Sequence, residues 1–108
     1  DARSEAALAQ WQAVVLAALE ESDSALEAWN SSRWAANEAE IAARSAEQSA
    51  ELATVRENAG QISARARLGA QVEALDAKST ALARRVQKTQ GWIAAQLALG
   101  AGWRDIRP

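Results

Sequence analysis

The chain contains no cysteine, histidine, methionine, tyrosine or phenylalanine, and proline occurs once, at Pro108. Without cysteine and histidine there is no thiolate nucleophile, no imidazole base, no ordinary zinc site and no disulfide. No catalytic role, metal or other cofactor is expected. Long apolar runs are also missing, since the longest extends only from Ala13 to Leu19. A bilayer-spanning helix needs about 20 apolar residues, so no span or signal peptide is read. The sequence starts at Asp1 without an initiator methionine, which reads as a piece excised from a longer protein.

What is present is alanine. Of 108 residues, 29 are Ala, against ten Leu, five Val, four Ile and five Trp. Alanine favours helix by backbone propensity yet buries little surface, so the composition predicts long helices in close contact, not a thick globular core. One domain is the most that this length supports.

The net charge is only -2, which speaks against a dedicated nucleic-acid binder, but it is unevenly distributed. Residues 1–57 hold eleven acids against four arginines, net -7, and residues 58–108 hold eight bases against three acids, net +5. Complementary halves of this kind suit two segments lying side by side, where exposed pairs set register more than stability.

Between Arg3 and about Glu57 there is no glycine or proline, and Leu8, Trp11, Val15, Leu19, Ser22, Leu26 and Trp29 recur at helical spacing. The stripe continues through Ile41, Ser45, Gln48, Leu52 and Val55. One helix over about 3–57 follows, roughly 80 Å long at 1.5 Å per residue. Asn58-Ala59-Gly60 is the stop signal, because Asn and Gly tolerate the left-handed conformation that ends a helix, and Ser63 is placed to cap the next one. A turn over about 58–63 is predicted.

Leu68, Val72, Leu75, Ser79, Leu82, Val86, Thr89, Ile93 and Gln96 then alternate in steps of four and three, which is a coiled-coil seam. The predicted second helix covers about 64–99 and stops at Gly100 and Gly102, ahead of Trp103 and a short tail over 100–108. Pairing residues whose numbers sum to roughly 120–125 sets Arg84 and Arg85 beside Glu38 and Glu40, and Arg104 beside Glu20 and Glu21. The fold class is therefore all-α: a long, Ala-rich antiparallel coiled-coil hairpin, too thin in large apolar residues to stand without further helices.

Other groupings reduce to simpler readings. Glu20, Glu21, Asp23 and Glu27 form a solvated helix face with no partner of matched chemistry. The bases Arg65, Arg67, Arg84, Arg85 and Lys88 are scattered along a rod without interleaved stacking aromatics, so no nucleic-acid site is read. Gly100-Ala101-Gly102 lacks the preceding strand that a dinucleotide fingerprint requires. The tryptophans read as packing or interface residues.

Three ordered motifs resemble the TolC-like outer-membrane efflux channels. The stretch Ala6 to Leu26, AALAQWQAVVLAALEESDSAL, is similar to that family's A-L-A-x-Y-x-x-x-V-L-x-A-L-x-E-V-E-x-A-L, with Trp11 at the aromatic position and Ser22-Asp23 in place of Val-Glu. Ala59, Gly60, Ser63, Leu68, Ala70 and Gln71 follow its Y-x-A-G-x-x-S-x-L-x-V-L-D-A-Q, and Leu99-Gly100-Ala101-Gly102-Trp103 is close to A-L-G-G-G-W. The interval from Gly60 to Trp103 needs no gap.

The resemblance implies the C-terminal helical hairpin of the second repeat, part of a larger α-barrel in a homotrimer, with membrane contact only through barrel strands that lie outside this sequence. It implies a passive periplasmic tunnel in a tripartite efflux system of the outer membrane, working with a periplasmic adaptor and an inner-membrane pump. On this reading Asn58, Gly60, Ser63, Arg65, Arg67 and Gly69 belong to the tip that meets the adaptor, and Gly100, Gly102 and Trp103 mark an equatorial helix stop.

The pattern departs from the family at the tip. Glu57 replaces Tyr, Arg65 and Arg67 replace apolar residues, and Ala66 and Gly69 stand where several members place acids. The arginines would make such an entrance less attractive to cations. Two other readings are an adaptor-type hairpin, which would be flanked by lipoyl-like β segments, and a stand-alone structural coiled coil acting only through protein contacts.

Overall fold

The computed structural model describes the backbone of residues 1–106 and the side chains of residues 1–101. It is all-α: α1 runs over Ala2–Asn58 and α2 over Ala64–Ile106, with no strand among the described residues. Alanine-rich, proline-free sequence sustains both helices. Asp1 caps α1, its Oδ1 accepting from the Ser4 amide at 2.9 Å.

The link between the helices forms as its residues dictate. Gly60 has φ +76°, the left-handed conformation of a helix C-cap. Around it the Gln61 amide donates to the Arg56 carbonyl at 2.8 Å and the Gly60 amide donates to the Glu57 carbonyl at 2.9 Å. This bond pair is the Schellman arrangement, which satisfies carbonyls that the helix end would leave orphaned. Ser63 then caps α2, its Oγ accepting from the Ala66 amide at 3.1 Å.

By contact the chain divides into two compact units, Asp1–Ser31 with Thr89–Pro108, and Ser32–Lys88. In the second unit the helices run antiparallel through the turn, and the buried residues are Ala36, Ala43, Ala50 and Ala53 on α1 with Ala74 and Ala81 on α2. In the first unit Ala18 and Ala95 are buried, and Val15, Ser22, Leu26 and Trp29 are half-buried. Among the described residues every buried side chain is thus an alanine.

These alanines form heptads of their own. On α1, Ala36, Ala39, Ala43, Ala46, Ala50 and Ala53 alternate in steps of three and four, and on α2 Ala70, Ala74, Ala77 and Ala81 do the same. A seam of methyl groups lets two backbones approach closely, so the contact gains dispersion from the main chain itself. The Leu68 to Gln96 seam expected between the helices is not where they meet. Leu68, Val72, Leu75, Leu82, Val86 and Ile93 are all exposed, as are Ile41, Leu52 and Val55 on α1. On α2 the Leu/Val stripe and the alanine stripe stand two residues apart at each step, roughly 150° around the helix.

A second correction concerns the end of α2. Gly100 and Gly102 do not stop it, and the backbone stays helical past Trp103 to Ile106. Glycine ends a helix by turning left-handed, and among the described residues only Gly60 has positive φ. A glycine that keeps helical angles costs about 0.5–1 kcal/mol relative to alanine, too little to break a run already propagating. The side chains of Trp103 and of Arg104, the latter expected beside Glu20 and Glu21, lie outside the described residues.

Candidate functional site

The six residues assigned to the tip come together within the Ser32–Lys88 unit, but they do different work there. Asn58 is the last residue of α1, and Gly60 and Ser63 supply the two caps. A Cβ on Gly60 would meet nothing within 4 Å, so the position requires glycine for its backbone angle and not for space. Gly69 also has open space around it, and it sits in helix with Arg65 exposed one turn earlier.

Arg67 is the exception to an exposed tip. Its Nε donates to Glu57 Oε2 across the turn, and its Nη1 donates to Gln71 Oε1 at 3.1 Å. Both partners of the ion pair are about three-quarters shielded from solvent, with side-chain exposures of 25% and 27%. Glu57 thus answers the charge of Arg67, so of the two tip arginines only Arg65 presents its charge openly. Neither residue alone signals this pairing, because it depends on the turn folding Glu57 back onto α2.

Further from the turn, Lys78 Nζ donates to Glu47 Oε1 at 2.8 Å and Arg85 Nη2 donates to Glu40 Oε1 at 2.5 Å. Seven residues along α1 and seven back along α2 separate the two pairs, which fixes the antiparallel register at the upper end of the range expected for a turn near Gly60. Arg84, expected beside Glu38, instead donates to Gln87 Oε1 at 3.0 Å on its own helix. The hydrogen bond and charge of Arg85 hold the Glu40 carboxyl below its ordinary value of 4.5.

Between these bridges the small seam residues leave open troughs of about 500 and 330 Å³. Glu40, Glu47, Lys78 and Arg85 wall the larger one over a floor of Ala43 and Ala81. Those four side chains are bonded in pairs, Arg44 lines the trough beside them, and no buried side-chain nitrogen or oxygen is left without a partner among the described residues. Among these residues no group of three or more His, Cys, Asp or Glu could hold a metal ion, and no helix is long and apolar enough to cross a membrane.

The most distinctive surface is therefore apolar. Within the Ser32–Lys88 unit, α1 exposes Trp34, Ile41, Leu52 and Val55, and α2 exposes Leu68, Val72, Leu75, Leu82 and Val86, with Leu75 and Leu82 also bordering the troughs over the alanine seam. Periodicity identified the α2 stripe correctly but not its direction. The charge pattern carried part of the direction: Lys78 and Arg85 stand between the alanine and leucine stripes of α2 and reach Glu47 and Glu40 across the alanine seam.

The sequence matches no protein-family model and no curated protein, and the fold matches no solved structure.

Proposed function

We propose that this hairpin is one stave of a multi-helix wall, specifically the periplasmic tunnel of a trimeric TolC-like outer-membrane channel. It acts as a passive conduit for exported solutes in a tripartite efflux system with a periplasmic adaptor and an inner-membrane pump. The observation that carries the reading is the pair of apolar edges. A free-standing hairpin gains nothing from a Leu/Val heptad facing water, whereas a helix with one heptad toward its hairpin partner and another toward a neighbour suits a continuous helical wall. The three ordered motifs attach that wall to the TolC-like family.

Tip residues take their roles from the same reading. Asn58, Gly60, Ser63, Arg65 and Gly69 form the adaptor-facing end, with Arg67 holding the turn closed through Glu57. The equatorial boundary is not a glycine helix stop, since α2 continues through Gly100 and Gly102.

The coding sequence upstream of Asp1 tests this. A secretion signal, an earlier copy of the hairpin and paired runs of alternating strand residues are the expected result. An initiator codon immediately before Asp1 would overturn the channel reading and leave a stand-alone coiled-coil hairpin.

A further inference from the structure

The exposed edges of the Ser32–Lys88 unit are complementary to each other in pattern as well as in apolar character. Set antiparallel, with the turns at the same end, the α1 edge brings Val55 opposite Val72, Leu52 opposite Leu75, Gln48 opposite Ser79 and Ile41 opposite Val86. Apolar layers meet apolar layers and the polar layer meets a polar one, with Ser45 and Leu82 the single mixed step. A shift of one heptad in either direction sets Gln48 against a valine, Val72 or Val86, and Ser79 against Ile41 or Val55. Such shifts bury polar side chains without partners, which is how coiled coils reject a wrong register.

Charge selects which edge meets which. In this unit the α1 segment has three arginines (33, 44, 56) against five glutamates (38, 40, 47, 51, 57), net -2. The α2 segment 64–88 has six bases (65, 67, 78, 84, 85, 88) against Glu73 and Asp76, net +4. An α2 edge therefore repels another α2 edge and attracts an α1 edge. By heptad position Glu51 flanks the α1 stripe on the side where Lys78, bonded to Glu47 of its own chain, flanks the α2 stripe. Arg44 falls toward Arg85, whose charge is already answered by Glu40 of its own chain.

We infer that the occupant of these edges is a second copy of this chain, docked α1 edge to α2 edge in the register that places Leu52 opposite Leu75. The contact is head-to-tail, so each added copy leaves one α1 edge and one α2 edge free, and assembly does not stop at two. The inference does not rest on the channel reading, and it holds for a hairpin that assembles with its own kind.

The absence of cysteine gives a clean test. Leu52→Cys and Leu75→Cys chains, each otherwise complete, are mixed and oxidised. Cross-linking in the mixture should run at least about tenfold faster than in either variant alone, the advantage of thiols held together in a complex. Sedimentation of the unmodified chain should show mass rising past the dimer with concentration. Leu75→Glu should abolish that rise while the helical circular dichroism at low concentration is unchanged, because Leu75 is exposed in the single hairpin. Self-linking of Leu75→Cys as fast as the mixture would overturn the arrangement in favour of α2 against α2. A chain that stays monomeric up to about millimolar concentration would overturn the self-association itself.

Discussion

Ala74 and Leu75 are neighbours in the chain and opposites in environment: Ala74 keeps 6% of its surface and Leu75 keeps 65%. The smaller, less hydrophobic side chain faces the partner helix and the larger one faces water. The same inversion recurs one heptad on, where Ala81 is buried and Leu82 is exposed. It follows that the two heptads serve different contacts, the methyl seam within the hairpin and the Leu/Val edge beyond it.

Substitutions at that second pair separate the two contacts. Ala81→Leu forces a branched side chain into a seam built for methyl groups and should destabilise the hairpin by about 1–3 kcal/mol. Leu82→Ala, on the outer edge, should change stability by less than about 0.5 kcal/mol in dilute solution. Urea unfolding followed by circular dichroism checks both, with each variant measured at the same low concentration.

Two glycines should respond to alanine in opposite directions. Gly60→Ala forces a Cβ into left-handed geometry and should cost about 1–2 kcal/mol, although the space around it is open. Gly100→Ala, in helical backbone with nothing near its Cβ, should stabilise by up to about 1 kcal/mol. Thermal unfolding of the two variants reads the signs, and a destabilising Gly100→Ala would place a helix stop at Gly100 after all.

Capping of α2 by one hydroxyl is a separable contribution. Ser63→Ala leaves the Ala66 amide without its acceptor and should cost about 0.5–2 kcal/mol. Ser63→Asp should retain most of the stability, since a carboxylate accepts the same bond and also suits a helix N-terminus. Hydrogen exchange at the Ala66 amide should accelerate in the alanine variant and not in the aspartate variant.

The Arg85–Glu40 pair makes a pH prediction with a definite sign. Because the folded Glu40 carboxyl titrates below 4.5, its contribution to stability is complete above that ordinary value and disappears as pH falls through the folded value. A carboxyl-resolved NMR titration should place the Glu40 midpoint below 4.5, and Arg85→Gln should return it toward 4.5. The pair is exposed at 59% and 46%, so high salt should shrink the shift.

Much of this architecture was legible in the residues. Asn58-Ala59-Gly60 and Ser63 specify the turn because left-handed glycine and a hydroxyl N-cap have few alternatives, and the opposed charges of Glu40, Glu47, Lys78 and Arg85 fix the register. The direction of the α2 stripe was not legible from periodicity, since Leu68-Val72-Leu75 and Ala70-Ala74-Ala77 share one repeat and differ only in which side of the helix they occupy. Hydrophobicity favours the leucines as the internal seam, yet the alanines are the residues buried here. At Gly100 the sequence suggested a stop because glycine is a common C-cap residue, but the conformation that makes it one is not taken up there.

Thiol reactivity at four single-cysteine positions tests the central claim, that alanine faces inward and leucine outward, most directly. Cysteines replacing Ala74, Ala81, Leu75 and Leu82 one at a time would be alkylated at a chain concentration below that of self-association. Slow reaction at 74 and 81 with fast reaction at 75 and 82 is the predicted pattern, following their burial and exposure in the single hairpin. The reverse pattern would place the Leu68 to Gln96 heptad between the helices and contradict both the alanine seam and the outward edges.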